Sequence, residues 1–433
     1  MQLGALVGTE KVRVSTRGWA HARERATPVG VLGVAAGLTL TAVLRRGAFF
    51  FPDSIVVVGG LGVVALVVAR RTEARDRRIV VAAAAFCVWW LALAYPWPVP
   101  HRVVLLPAAV CGFAAAWIIG RSLNRDQRAF AVRAVLVMGI GLAVVDLGAV
   151  ALRAYPTAMP HGGLWRAAGP FTYANAAGLL FAMVLPVALG TKTVPLQLQR
   201  LAAFAAAAGL VATMSRGAFV GSIGALLVVR AWRSPAVLAG IVGAGVGLAA
   251  AASSGTGSHQ PVLLVLVAAG AVAAVTLPVP RGRWVRVFVA LGAGGATLVL
   301  LLGSHAPLEG RADPRSVTDR WQEWTAAAHQ FTAHPVAGSG PEKLLAPADG
   351  TSITYFAHNE YLQVAAGGGV VALVLLTGFG AAVAAAIRRR HWHRWSVAVL
   401  VAVGVAGAFD FTWHLPAIAI LAGWLAALGT RDQ

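Results

Sequence analysis

This chain predicts an all-α, polytopic membrane fold, and three observations carry that expectation. Apolar residues fill 58% of its 433 positions and charged residues only 12%, with a mean hydropathy of +0.74. A water-soluble globule of this length cannot hide so much apolar surface. Apolar stretches of about 20 residues, the length a helix needs to cross a bilayer, recur to the C-terminus. The short breaks between them are rich in arginine or in Pro and Gly, and the arginines are unevenly shared among them.

About fourteen spans are expected, with twelve as a lower count. They centre on Val34, Val63, Ala85, Val110, Leu142, Met183, Leu210, Ala225, Gly243, Leu266, Ala293, Val374, Val403 and Leu421. Lysine and arginine concentrate in cytoplasmic loops. One set of loops holds Arg70 to Arg78, Arg121 to Arg128, Lys192 and Arg200, Arg230 and Arg233, Arg281 to Arg286, and Arg388 to Arg394. The other carries only scattered charges such as Arg45, Arg46, Arg102, Arg153 and Arg166. Alternating spans then put a basic segment, residues 1–27, in the cytoplasm. A bundle follows over 28–303, then a long extracytoplasmic loop over 304–357, then the last helices over 358–433.

The formal charge of +20 is mostly this topology signal. Nucleic-acid binding is not expected, because the basic groups are spread over many short loops instead of gathered on one module. No cleavable signal peptide is expected, since the leading segment is polar and arginine-bearing beyond a normal n-region. Cys87 and Cys111 both sit in expected spans, where a thiol ordinarily packs, so neither disulfide nor thiol chemistry is inferred. No CxxC, HExxH, phosphate-binding Gly loop or carboxylate cluster gives a metal or a nucleotide cofactor any support.

Three external features carry the polar groups. The first is His161-Gly162-Gly163-Leu164-Trp165-Arg166 leading to Gly169-Pro170-Phe171-Thr172-Tyr173-Ala174-Asn175. It reads as an interfacial turn with Tyr173 at the interface and Asn175 either capping a helix or offering amide donors to a ligand. The second is Met214-Ser215-Arg216-Gly217-Ala218, between two apolar runs. Arg216 there either snorkels or faces a polar cavity, because burial at that depth costs about 3 kcal/mol. The third is an amphipathic helix from Ser316 to Thr332. Trp321, Trp324, Ala328 and Phe331 would face the bilayer surface or the bundle. Arg320 and Glu323 are spaced for an i,i+3 pair.

His358 lies in Ala357-His358-Asn359-Glu360-Tyr361-Leu362-Gln363, directly before an apolar helix interrupted by Gly367, Gly368 and Gly369. The positive end of that helix disfavours the imidazolium form. A neutral imidazole results, suited to accept a proton from a hydroxyl.

The run His358 to Gln363, with Arg320-Trp321-Gln322-Glu323-Trp324, His334-Pro335 and Gly338-Ser339-Gly340, resembles the signature region of the O-antigen ligase and Wzy-type polymerase family. The Gly-aromatic-Asn stretch around Asn175 and the turn at Arg216 are similar to further family patterns. The resemblance runs roughly from Gly169 to the end of the twelfth span.

It implies a metal-independent GT-C-type glycosyltransferase in the bacterial cytoplasmic membrane, acting on the extracytoplasmic face. The donor would be a polyprenyl-diphosphate-linked saccharide, and the acceptor a glycan, lipid or protein hydroxyl. His358 would be the general base, with Arg216 and Arg320 on the diphosphate and Asn175, Tyr173, Asn359 and Glu360 around the substrate. Glu360 competes for the base role. Asp146, Asp410 and His414 either line the cavity or pair for structure. A transporter of lipid-linked glycans is the competing class, but the sequence shows no internal repeat of the kind such folds use.

Overall fold

The computed structural model describes residues 29–69, 73–94, 101–161, 163–254, 262–276, 314–341, 343, 354–388 and 392–429. The basic segment 1–27, the span expected around Ala293 and the parts 304–313, 342 and 344–353 of the long external loop lie outside the described residues. In chain order the helices are α1 (Val29–Leu44), α2 (Phe51–Ala69), α3 (Ala74–Ala94), α4 (Leu105–Ser122), α5 (Arg125–Leu152), α6 (Ala174–Gly190) and α7 (Leu196–Thr213). They continue as α8 (Arg216–Val229), α9 (Val237–Ser253), α10 (Val262–Thr276), α11 (Pro314–Ala333), α12 (Glu360–Arg388), α13 (Arg394–Gly407) and α14 (Pro416–Leu428).

The architecture is a large membrane-helix bundle, but fourteen full-length spans are not what it contains. Among the described residues six helices are long and apolar enough to cross a membrane: α2, α3, α4, α5, α7 and α12. Seven further apolar helices, α1, α6, α8, α9, α10, α13 and α14, have between 10 and 17 residues. Turn chemistry explains part of the shortening. Met214 and Arg230 adopt left-handed conformations at the two ends of α8, so backbone that is apolar in sequence is spent on reversals.

The all-α expectation also needs one amendment, because the loop around His161 is not a simple turn. Strands β1 (Ala158–His161) and β2 (Leu164–Ala167) form an antiparallel hairpin, with Met159 opposite Arg166.

Helices α4, α6 and α14 are buried over nearly their whole length, whereas α2, α3 and α12 expose valines and leucines such as Val63, Val81 and Val374. In lipid such exposure is expected, and close helix packing relies on small residues. Gly243 and Gly247 of α9 show this: a Cβ at either would run into the backbone of α7 at Phe204 or Ala208. Cys87 of α3 and Cys111 of α4 meet as free thiols with sulfurs 3.4 Å apart.

The connections gather at two ends of the bundle. At one, Gly47 packs on Phe171 and Leu415, Arg102 lies 4.0 Å over the Tyr355 ring, and Trp165 N donates to Ser254 Oγ at 3.1 Å. At the other, Arg121 approaches Asp76 at 3.6 Å and His393 N donates to Gly429 O at 2.8 Å. Gly190, just before Lys192, meets Val229, just before Arg230, and Trp395, so among the described residues these arginine- and lysine-bearing loops gather at this second end.

Helix α11 runs two residues past the expected segment at its start and one at its end, and the face it turns to the bundle is not the one that bears Trp321. Trp321 is 68% exposed, while Glu323, Ala326 and Ala327 turn inward. The inward alanines pack with Ala357, Leu362 and Ala366 of the α12 region.

Helix α12 is broken at Gly369, where φ is 67° and ψ −167°. The segment after α11 crosses that break. Ser339 N donates to Ala366 O at 2.8 Å, Gly340 N to Gly367 O at 3.2 Å, and Val370 N to Pro335 O at 2.8 Å. Trp89 Nε1 of α3 takes Gly368 O at 3.0 Å. The carbonyls of Ala366, Gly367 and Gly368 and the amide of Val370, next to the interruption, are thereby bonded, as apolar surroundings demand.

Gly369→Ala should therefore be costly. Left-handed strain alone is worth about 1–3 kcal/mol, and the new Cβ would collide with Val336 O. We expect the apparent melting temperature of the detergent-solubilised protein to fall by several degrees. Gly378→Ala on the same helix, where nothing lies within 4 Å of the added methyl, should leave it unchanged or slightly higher. Equal melting temperatures for the two variants would refute the clamp.

Candidate functional site

Helix α11 places Arg320 and Glu323 one turn apart on the face that meets the bundle, and they do not pair with each other. Glu323 Oε2 lies 2.7 Å from His358 Nδ1. Arg320 Nη1 donates to Phe409 O at 2.8 Å. His358 sits in a left-handed conformation, φ 46°, two residues before α12. Asn359 follows and caps the helix: its Oδ1 accepts from Leu362 N at 3.1 Å while its Nδ2 donates to Ala408 O at 3.0 Å. The Phe411 ring stands edge-on to the imidazole at 5.1 Å.

A carboxylate on Nδ1 favours the tautomer with its proton there and leaves the Nε2 lone pair for chemistry. The helix dipole was the only influence expected on this ring; the structure adds a carboxylate from 35 residues away.

Beside this pair opens a polar cavity of about 130 Å³ lined by His161, Arg166, Asn175, Met214, Arg216, Gly217 and Arg320. Three elements supply its guanidiniums. Arg166 comes from β2, Arg216 is the first residue of α8 behind the Ser215 cap, and Arg320 comes from α11. Arg166 is held by Thr213 O at 2.9 Å and Asn175 Oδ1 at 3.0 Å. Burial lowers the Arg166 pKa, Tyr173 and Asp410 oppose that, and Arg320 and Arg216 push it further down. Positive charge is thus concentrated at some cost in the unliganded protein, a cost an anion would relieve.

Tyr173 and Asn175 connect this cavity to the loop after α13. Tyr173 Oη donates to Asp410 Oδ1 at 2.5 Å. Asn175 Nδ2 bonds both Tyr173 Oη at 3.1 Å and Asp410 Oδ2. Burial, then the Asp410 charge, raises the Tyr173 pKa well above its usual range. Tyr173 stacks on Phe411 at 5.0 Å, and Phe411 on Phe356 at 4.3 Å. Tyr173 is therefore part of a bonded cluster, not a free interfacial ring.

Of the residues singled out in the sequence, Asn175, Arg216 and Arg320 line the cavity, and Tyr173 forms part of its surroundings. His358 is linked to it through α11 and Phe411. Glu360 is placed apart. It is wholly buried, its Oε1 accepting from Trp413 N at 2.5 Å and its Oε2 lying 2.9 Å from Nδ1 of the equally buried His414. Asp146 is buried against Gly169, outside the cavity lining. Arg166 and Phe411 were not picked out as site residues, nor Glu323 as the partner of His358, while Asp410, weighed as a cavity liner or a structural partner, bonds Tyr173 and Asn175. The one available signal for Arg166 was an arginine three residues before the Gly-Pro-Phe-Thr-Tyr run at an otherwise arginine-poor end.

Fold and site together define a polytopic membrane protein with a cationic cavity and a histidine–carboxylate pair at one end of its bundle. Residues 201–377 match the family model described as O-Antigen ligase. That match supports a general role in glycan transfer or polymerisation. No curated protein matches the chain. The matched segment holds Arg216, Arg320, Glu323 and His358. It starts later than the resemblance read from Gly169, so Arg166, Tyr173 and Asn175 precede it and Asp410 follows it.

Removing one member of a buried polar pair leaves the other without its partner, at a cost of about 1–3 kcal/mol. Glu360→Ala should therefore unfold the detergent-solubilised protein at markedly lower denaturant, and adding His414→Ala should cost much less than a second independent loss. Additive effects of the two substitutions would show that the pair does not act as a unit.

Proposed function

We propose that this protein transfers a saccharide from a polyprenyl-diphosphate carrier to a hydroxyl acceptor at the extracytoplasmic face of a bacterial cytoplasmic membrane. The observation that carries this is the convergence of Arg166, Arg216 and Arg320 on one cavity, with the His358–Glu323 pair one helical turn along α11 from Arg320.

The donor diphosphate occupies the cationic cavity. Guanidiniums hold phosphate oxygens in a planar, multiply donating fork and neutralise the charge that builds as the bond from the anomeric carbon to phosphate breaks. The acceptor oxygen forms the new bond to that carbon, its proton passes to His358 Nε2, and polyprenyl diphosphate leaves. Glu323 orients the imidazole and stabilises the imidazolium that forms. Asn175 holds Arg166 and also bonds Tyr173, while Asn359 sets the turn that presents His358. Glu360 supports the site through Trp413 and His414, a role that replaces substrate contact or competition for the proton. Asp410 fixes Tyr173 and Asn175.

General-base catalysis is worth about 10²–10⁴-fold, so His358→Ala should lose that much in kcat while binding donor normally, and His358→Gln should fare little better. Glu323→Gln should also slow transfer without weakening donor binding. Arg166→Lys, Arg216→Lys and Arg320→Lys should instead raise the KM for donor. Product formation at the wild-type rate by His358→Ala, with chemistry rate-limiting, would remove the imidazole from the mechanism.

The membrane sidedness has its own check. A cysteine introduced at the exposed Gly163 should react with an impermeant reagent in intact cells, whereas one at the exposed Lys192 should react only after permeabilisation. The opposite pattern would put the cavity on the wrong face for its donor.

A further inference from the structure

A second cavity, of about 250 Å³, lies on the other side of the Tyr173–Phe411 stack. Its walls include Phe49, Phe50, Phe171, Tyr173 and Phe411, and Arg46 stands at its rim. The catalytic roles proposed above leave this space unused. We infer that it is the acceptor subsite, and that it takes a pyranose ring bearing an anionic substituent; the inference rests on the transfer reaction proposed above.

The choice of occupant follows from the walls. Aromatic faces pack against the C–H faces of sugar rings, while a guanidinium supplies paired donors for a carboxylate or phosphate group. Arg46 lies 5.5 Å over the Phe50 ring and is exposed, and among the described residues no carboxylate pairs with it. Its neighbour Arg45 is bonded to Asp53 at 3.2 Å, so Arg46 is the cation left to meet a ligand.

The backbone is shaped to hold it there. Arg46, Gly47 and Ala48 are successive left-handed residues with φ of 53°, 74° and 54°. The bare Gly47 presses against Leu415 and Phe171, where a Cβ would come within 2.8 Å of Leu415 and 3.0 Å of Phe171.

Position distinguishes a saccharide from a prenyl chain. The cavity is built from connections between helices, namely the α1–α2 turn, the residues before α6 and the turn before α14, and not from the aliphatic flanks that face lipid. Phe411 lines it and also contacts His358 at 5.1 Å. A hydroxyl of a ring seated here is thus presented beside the base, while the diphosphate stays among the arginines on the far side of Tyr173.

Two soluble probes separate the sites in the full-length protein in detergent: inorganic pyrophosphate for the arginine cavity, and a glucuronate-terminated disaccharide for the aromatic one, followed by saturation-transfer NMR. We expect both to bind at once, with the neutral glucose-terminated disaccharide at least 10-fold weaker than the acidic one. Arg46→Gln and Phe50→Ala, both at exposed positions, should each weaken the acidic disaccharide at least 10-fold and leave pyrophosphate unaffected. Arg216→Lys should do the reverse.

The acceptor subsite is overturned if the acidic disaccharide does not bind the wild type, if pyrophosphate displaces it, if neither variant changes its affinity, or if the neutral disaccharide binds equally well. It is also overturned if Phe50→Ala instead weakens farnesyl diphosphate, which would assign the cavity to the carrier chain. Failure of the donor reading shows separately, as pyrophosphate binding that is indifferent to Arg216→Lys.

Discussion

The break in α12 at Gly369 is the constraint on which the site's geometry depends. An interrupted helix in apolar surroundings must bond the carbonyls and amides it frees. Here the segment after α11 supplies much of that bonding, through Ser339 and Gly340 on one side of the break and Pro335 on the other. The same bonds fix the C-terminal end of α11, so the helix lies back along the first half of α12 with Ala326 and Ala327 packed on Ala366 and Leu362. Only with α11 pinned in that direction does Glu323 arrive over His358 and Arg320 over Phe409. A sequence separation of 35 residues is closed by backbone bonds, and the side-chain contact follows from them.

The way the arginines are held matters as much as their number. Arg166 bonds Thr213 O and Asn175 Oδ1, and Arg320 bonds Phe409 O. Neutral acceptors orient a guanidinium without quenching its charge. The nearby carboxylates have other bonds to make: Glu323 with His358, and Asp410 with Tyr173, Asn175 and Phe411 N. The cavity thus keeps its positive potential, and the mutual repulsion stored among Arg166, Arg216 and Arg320 favours an anionic ligand over water. At the opposite end of the bundle Arg121 is instead placed beside Asp76 and Glu73, as suits a charge whose task is topology and packing.

Much of the scaffold was legible because membrane helices announce themselves by apolar length, and the segregation of arginine by loop anticipated the two ends. The polar run before α12, its glycine triplet and the bounds of α11 were also readable. Local pattern sufficed for each of these. Helix length was less accessible, since an apolar run does not disclose where left-handed residues such as Met214 and Arg230 will end it. The hairpin escaped notice because two four-residue strands are too short to show an alternation. The stripe of α11 that meets the bundle was not singled out because tryptophans dominate a periodicity count, whereas the buried stripe carries a glutamate and two alanines. Arg166 and Phe411 become site residues only through contacts between distant segments, which local pattern does not disclose.

The stack of Tyr173, Phe411 and Phe356 divides the functional end of the bundle into a charged space and an aromatic one. For a transfer reaction whose donor bond is already activated, water is the competing acceptor, and a base open on all sides would serve water as readily as a sugar. His358 retains 26% of its side-chain exposure, with one nitrogen committed to Glu323 and one flank covered by Phe411. Apolar walls around such a base disfavour a water positioned for attack, because they offer it too few hydrogen-bond partners, and a ring that displaces it gains contact area. In the transfer reaction proposed above, the aromatic stack and the histidine–carboxylate pair are one device: the pair would make a hydroxyl reactive, and the stack would restrict which hydroxyl can reach it.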